Sequence, residues 1–386
     1  MNFELSDDQR AFQDAARNFA RKEFEPHAAR WDEQSIFPRE AIAQAGAMGF
    51  CGLYTSTSHG GMGLSRLDAH LIFEELARYD PSTTAFITIH NMATWMVSQW
   101  AQAEFAQELV PSLASGELLA SYCLTEPNAG SDAASLRTRA EVDGDDYLIT
   151  GNKVFISGAG ATNWLVVMAR TSDDGARGIS AFAVDAQSAG IEYGKKEAKL
   201  GWNSQPTRAI AFNRVRVPAR QRLGEEGDGF KIAMRGLDGG RINIATCSLG
   251  AAQGALQTAL DYVRSRKQFG QELAQFQSVQ YKLADMLTEL VAARQMVRLA
   301  AAKLDASAAE ARVYCAMAKR FATDVGFTVC NEALQLHGGY GYIKEYPLER
   351  LLRDVRVHQI LEGTNEIMRL IVGRHALDQD NLDGFV

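Results

Sequence analysis

Two short stretches in the C-terminal half hold the residues best suited to chemistry, His337-Gly-Gly-Tyr-Gly-Tyr342 and Leu361-Glu-Gly-Thr-Asn-Glu366. A glycine-rich turn lets bare backbone come against a cofactor. Glu362, set just before Gly363, is a carboxylate on a turn with no cation beside it in sequence. Such a group can serve as a general base. A third stretch, Tyr122-Cys-Leu-Thr-Glu-Pro-Asn-Ala-Gly-Ser-Asp132, runs from a strand-like segment into a turn rich in Pro, Asn and Gly. Its backbone N–H groups and the hydroxyls of Thr125 and Ser131 suit a flat polar heterocycle and an adjoining phosphate. The same spacing also fits an Asx-type turn between two strands.

Other glycine-rich segments lack the context their chemistry needs. Gly158-Ala-Gly160-Ala-Thr-Asn163 imitates the start of a dinucleotide fingerprint, but the third glycine is missing and a strand, not a helix, follows. His59-Gly-Gly-Met-Gly63 has no such context either. Neither G-x-x-x-x-G-K-[ST] nor G-x-S-x-G occurs. His358 and Glu362 would share a helix face at i and i+4, but one such pair is weak as a metal site.

The elements that must position these residues fall into three blocks. Residues 1–118 read as helical. Ser6-Asp-Asp-Gln9 fits a capping box ahead of a stripe of Phe12, Ala16, Phe19 and Ala20. Pro38 suits a helix start, and Ser65-Arg-Leu-Asp68 opens a helix expected to stop near Pro81. Residues 119–225 carry short β-branched runs, at 121–125, 147–150, 153–156, 164–168, 179–184 and 209–212, divided by turn residues such as Asp143-Gly144. That spacing predicts a small antiparallel barrel or sandwich. Residues 226–386 are helical again, with a run from Gly229 to about Arg264 expected to break at Gly239-Gly240. Phe276, Val279, Leu283, Met286, Leu290 and Val297 mark one face of the next helix, and further helices are expected over about 306–335 and 348–377, forming a bundle. The fold class is therefore α+β, mostly α.

Composition narrows the function. The 386 residues are 46% hydrophobic and 23% charged, as in a globular protein with a sizeable core. A net charge of −7 without a dense basic block argues against a nucleic-acid partner. No apolar run approaches the roughly 18 residues of a membrane span, and the acidic N-terminal residues do not resemble a signal peptide. A cytoplasmic protein is expected. Five cysteines without a C-x-x-C pair suggest buried thiols and no metal site.

The motifs together, in this order, resemble the acyl-CoA dehydrogenase family over nearly the whole length. They are the Tyr122–Asp132 stretch, Lys153-Val-Phe-Ile-Ser157, Arg264-Ser-Arg-Lys-Gln-Phe-Gly270, Gln335-Leu-His-Gly-Gly-Tyr-Gly341 and Arg353 through Arg369 around Glu362. Leu237-Asp-Gly-Gly-Arg-Ile-Asn-Ile244 and Val355–Gly363 look like the short branched-chain, isobutyryl-CoA type. The resemblance implies helices, then a β-domain, then a four-helix bundle. It also implies FAD, a homotetramer, a role in fatty acid or branched-chain amino acid catabolism, and an electron-transferring flavoprotein as acceptor.

Matched by position, Tyr122, Leu124 and Thr125 would hold the pyrimidine edge of the flavin, and Phe155, Ile156 and Ser157 would pack against it. Several relatives have Trp and Thr where this chain has Phe155 and Ser157. Ser131 would touch both FAD and CoA. Arg266, Phe269, Gln277, Gln335, Gly338 and Gly339 would grip the phosphates and adenosine half of FAD from a neighbouring subunit. Thr364 and Glu366 would complete the dinucleotide site. Asp238, Arg241 and Gly363 would face the substrate. Glu362 matches the family's base. One subgroup, including isovaleryl-CoA enzymes, carries its base on the other helix, where this chain has Gly240.

The reaction this implies is α,β-dehydrogenation of an acyl thioester. Glu362 removes the α-proton while the β-hydrogen leaves as hydride to flavin N5. The FAD ribityl hydroxyl and the Glu362 N–H would stabilise the developing enolate. Two alternatives stay open at this level. One is a straight short-chain, butyryl-like substrate. The other is a flavin oxidase or monooxygenase on the same fold. A non-catalytic acyl-CoA or nucleic-acid binder is disfavoured by the net charge and by Glu362.

Overall fold

A computed structural model describes residues 4–379. The first block is six helices: α1 (Asp7–Glu23), α2 (Ala28–Glu33), α3 (Arg39–Ala47), α4 (Arg66–Ala77), α5 (Pro81–Trp100) and α6 (Ala103–Ala114). The expected capping box of Ser6 with Gln9 forms at the start of α1, and the helix start expected at Ser65 is also a capping box, with Asp68, at the start of α4. Pro38 is the residue before α3, while Pro81 opens α5. Pro at a first helical turn removes only an N–H that has no partner there. α5 is buried on nearly all sides, polar residues such as Thr84, His90, Asn91 and Thr94 included.

The middle block is β1 (Ala120–Cys123), β2 (Arg139–Asp143), β3 (Asp146–Ser157), β4 (Trp164–Arg170), β5 (Ile179–Asp185), β6 (Ile191–Tyr193), β7 (Thr207–Pro218) and β8 (Arg222–Leu223). They form one eight-stranded sheet in the order β6-β7-β3-β2-β4-β5-β8, with β1 pairing β4 off that path. The expected all-antiparallel pattern is not complete. β1 runs parallel to β4, from Ala120 opposite Trp164 to Cys123 opposite Val167, and β2 meets β4 in parallel at Arg139 and Arg170. The runs 147–150 and 153–156 are one strand, β3, bulged against β7 between Lys153 and Ile156.

The last block is α7 (Gly229–Ser265), a small hairpin of β9 (Lys267–Gln268) and β10 (Gln271–Glu272), then α8 (Gln277–Asp305), α9 (Ala311–His337), α10 (Leu348–Arg356) and α11 (Asn365–Leu377). α7, α8 and α9 pack on one another, and α10 and α11 both lie against α9. Small residues let them approach closely: Ala245, Ala252, Ala259, Ala293, Ala300, Ala318 and Ala322 are buried in this core. α7 runs unbroken through Gly239-Gly240, contrary to the expected break. The expected helix over 348–377 is instead two helices, and the residues between them matter most below. A second core joins α5 and α6 to the sheet, so helices and sheet share one packed interior.

Candidate active site

α10 ends at Arg356, a single 3-10 turn covers Val357–Gln359, and α11 starts at Asn365. Between them Glu362 has φ +56° and Gly363 φ +86°. Left-handed backbone is free for glycine but unfavourable for glutamate, so the surroundings must hold it. Upstream, Trp202 Nε1 donates to His358 Nε2 (3.2 Å), and His358 Nδ1 lies 2.7 Å from Ser248 Oγ on α7. Downstream, Thr364 caps α11, its Oγ1 accepting from Ile367 N–H. From α9, buried Lys319 donates through Nζ to Gly363 O (2.8 Å) and Asn365 Oδ1 (2.9 Å). Asn365 in turn donates to Thr323 Oγ1 and Asp324 Oδ1.

The turn aims the carboxyl of Glu362 inward. Its Oε2 is shielded from solvent and has no hydrogen-bond partner among the described residues. Burial raises its pKa to about 7, against the opposing charges of Arg241 and Lys319. The cations absent beside it in sequence thus arrive from α7 and α9. Arg241 is itself held by Asp238, one helical turn earlier, at 2.6 Å. Tyr122 on β1 also buries a hydroxyl without a partner. Its pKa is pushed well up by burial and by the charge of Glu362. Buried polar groups left unpartnered retain hydrogen-bonding capacity that a bound ligand can use.

Gly239 and Gly240 make the room. A Cβ on Gly240 would lie 2.9 Å from Cδ of Glu362 and 3.2 Å from Sδ of Met92, and one on Gly239 would strike the Arg66 guanidinium. Arg66 sits over the Tyr54 ring at 3.5 Å and the Trp95 ring at 4.8 Å. A side chain grown from position 240 would therefore occupy the space that the Glu362 carboxyl occupies. The two positions at which the family resemblance places a base converge on one point.

A second group lies on the sheet. Lys153, fully buried, donates to Glu126 Oε1 (2.8 Å) and Leu124 O (3.0 Å). Glu126 accepts from the Arg137 and Thr138 N–H groups, and Val154 N–H donates to Thr125 O. This bonding brings Leu124 and Thr125 beside Phe155, Ile156 and Ser157. Phe155 sits in the bulge with φ +58° and its side chain 70% exposed, while Ile156 is buried beneath it. Ser131 is exposed on the following loop.

A third group lies at the far end of α9. Arg266, Gln335, Gly338 and Gly339 line a cavity of about 470 Å³ with Tyr262 and His337. A Cβ at Gly338 or Gly339 would meet nothing within 4 Å, so backbone is open there. Arg266 carries its guanidinium 5.7 Å from the Tyr340 ring. Phe269 is 92% exposed and meets Phe276 edge-on, next to exposed Gln277. Glu366 is exposed on the first turn of α11. These open backbones, the arginine and the two orphaned hydroxyl and carboxyl groups fit a flavin dinucleotide. Lys319, Asn365, Glu126 and Met92 were not anticipated as site residues. The only sequence signal for Lys319 is a lysine inside an otherwise apolar face of α9.

Comparison with known proteins agrees with this arrangement. Models of the N-terminal, middle and C-terminal domains of acyl-CoA dehydrogenases match residues 6–117, 121–215 and 227–377. Isobutyryl-CoA dehydrogenase of Bos taurus, named as mitochondrial, is 51% identical over 97% of this chain and 90% of its own. Butyryl-CoA dehydrogenase from Megasphaera elsdenii superimposes with a TM-score of 0.95 at 39% identity, over 98% of this chain and 100% of that one. A chain in the structure of the electron transferring flavoprotein of Acidaminococcus fermentans gives 0.96 at 38% identity, over 98% and 100%. Domain order, fold and sequence identity over almost the full length agree, and the chain belongs to the acyl-CoA dehydrogenase family.

Proposed function

We propose that the protein is an FAD-dependent acyl-CoA dehydrogenase that forms the α,β double bond of a short branched acyl thioester of the isobutyryl type, with Glu362 as the base. The observation that carries this is the Glu362 carboxyl: buried, raised to about 7, and with an unbonded oxygen seated in the room that Gly240 leaves. An ordinary carboxylate is too weak a base for a thioester α-proton. Burial strengthens it and brings its pKa to the working pH, where a general base is most effective. Bound FAD supplies the acceptor for the β-hydrogen as hydride. Leu124, Thr125, Phe155, Ile156 and Ser157 would hold its ring system. Tyr122, Ser131, Thr364 and Glu366 are proposed with them, and Asp238, Arg241 and Gly363 toward the substrate.

The branched assignment rests on the 51% identity to isobutyryl-CoA dehydrogenase. The butyryl-CoA dehydrogenase relative supports the straight-chain alternative. Anaerobic flavin bleaching with isobutyryl-CoA and n-butyryl-CoA separates them. We expect faster bleaching by the branched thioester; preference for the straight chain would contradict the assignment. One methylene or branch discriminates by only roughly 1–3 kcal/mol.

We further propose a homotetramer. Eighteen helical steps separate Lys319 from His337, roughly 27 Å at the usual rise, so Arg266, Gln335, Gly338 and Gly339 lie at the C-terminal end of α9, far from the base. They would serve the flavin of another subunit, together with Phe269 and Gln277. An electron-transferring flavoprotein is the proposed acceptor, in keeping with the relative from Acidaminococcus. The five free, buried cysteines suit a reducing compartment. We propose the cytoplasm, to be checked by cell fractionation.

A further inference from the structure

We propose that Lys319 is a positioning residue for the base, clamping the turn that carries Glu362 and holding a positive charge toward its carboxyl. The inference rests on the reading of Glu362 as that base. Lys319 projects from the middle of α9 and is fully buried. Its bonds go to Gly363 O and Asn365 Oδ1, not to the carboxyl of Glu362. The clamp therefore fixes two backbone positions with positive φ while leaving Glu362 Oε2 free to accept a proton. Its bonded partners are neutral: a carbonyl and an amide. Burying an ammonium without a bonded carboxylate is costly, and a methionine would fill the same volume without that penalty. Burial lowers the pKa of Lys319 to about 7, the nearby carboxyl of Glu362 is the main group favouring its charge, and that charge in turn lowers the pKa of Glu362.

Other charged and titratable groups face this pair from every side. Arg241 comes from α7, bonded there to Asp238, and Tyr54 from the segment after α3, with the Arg66 guanidinium of α4 over its ring. Tyr122 comes from β1, Asp324 from α9, His358 from the 3-10 turn and Glu366 from α11. Arg241 remains in any Lys319 variant, so the carboxyl would keep one cation.

The test is Lys319→Met holoenzyme, with flavin reduction by isobutyryl-CoA followed anaerobically and kcat/KM measured against pH. Losing the clamp should slow flavin reduction about 10- to 100-fold, as when a supporting contact to a reacting group is removed. Losing the cation should move the acid limb of kcat/KM upward by about one pH unit, since a carboxyl deprived of a positive neighbour ionises later. A merely structural lysine would lower stability and flavin content without moving that limb. Should Lys319→Met not retain FAD, Lys319→Gln keeps the donors without the charge and must show the same displaced limb. An unmoved limb in the variant that holds FAD overturns the proposal. Glu362→Gln serves as control. If it reduces flavin normally, the base assignment itself fails. If it is inactive while Lys319→Met behaves as wild type, only the role of Lys319 fails.

Discussion

At the scale of single residues, the account turns on how Glu362 comes to titrate near neutrality. Burial disfavours its charged form, and Arg241 and Lys319 only partly restore it. The reactive form is the carboxylate, so kcat/KM should be constant above a pKa of about 7 and fall about tenfold per pH unit below it. A profile flat through the neutral range would contradict the raised value. The same shift has a stability consequence. Because the folded pKa lies above the unfolded value, the unfolded chain ionises first, and this group removes stability as pH rises from the ordinary carboxylate range to about 7. Glu362→Gln should therefore melt above wild type at mildly alkaline pH, and the difference should vanish in acid. Gly240 is the second residue on which the geometry depends. Gly240→Ala places a methyl against the carboxyl and Met92, and should destabilise by about 1–3 kcal/mol and slow flavin reduction. Unchanged turnover in that variant would mean that the carboxyl does not sit where it is placed.

At the scale of elements, the sheet segment that presents Leu124, Thr125 and Phe155 depends on one buried ion pair. Glu126→Ala would leave the Lys153 ammonium buried and unpaired, which typically costs about 3–5 kcal/mol, readable in urea unfolding. The sequence is informative where a local signal decides an element. Ser6 and Ser65 start their helices as their spacing predicts, because a capping box is satisfied within four residues. It misleads where packing from elsewhere decides. Gly239-Gly240 lowers helix propensity by about 1 kcal/mol per glycine, yet α7 continues because those glycines are packed against Arg66, Met92 and Glu362. β2 escapes notice because Arg139, Glu141 and Asp143 leave only Ala140 as a buried marker. The break between α10 and α11 is hidden because the partners that hold Glu362 at positive φ are far away in the chain: Lys319 is 44 residues before Gly363. Glu362 stands out in sequence through its turn residues and the family motif. Its clamp does not, since a lysine in a helix normally faces solvent.

At the scale of the whole molecule, the residues matched to the flavin are split between the sheet and the C-terminal end of α9, and several large apolar side chains are exposed on the surface. Phe269 and Tyr342 are 92% and 83% exposed, and α8 exposes Leu287, Val291 and Leu299. Isolated apolar side chains need no explanation, but a helix face of them marks an interface. Replacing both Leu287 and Val291 by lysine should shift the proposed tetramer toward smaller species in light scattering and lower the FAD content. Arg266→Ala should lower flavin content on its own, since a guanidinium matches phosphate geometry in a way no smaller residue can; full flavin retention would contradict that assignment. The proposed function comes down to one contact, the Glu362 carboxylate against the α-carbon of an acyl thioester. Its most direct test is anaerobic rapid mixing of Glu362→Gln holoenzyme with isobutyryl-CoA, followed by the flavin absorbance. We predict that the spectral change of acyl-CoA binding persists while flavin reduction slows at least ~100-fold. Reduction at the wild-type rate would contradict the account.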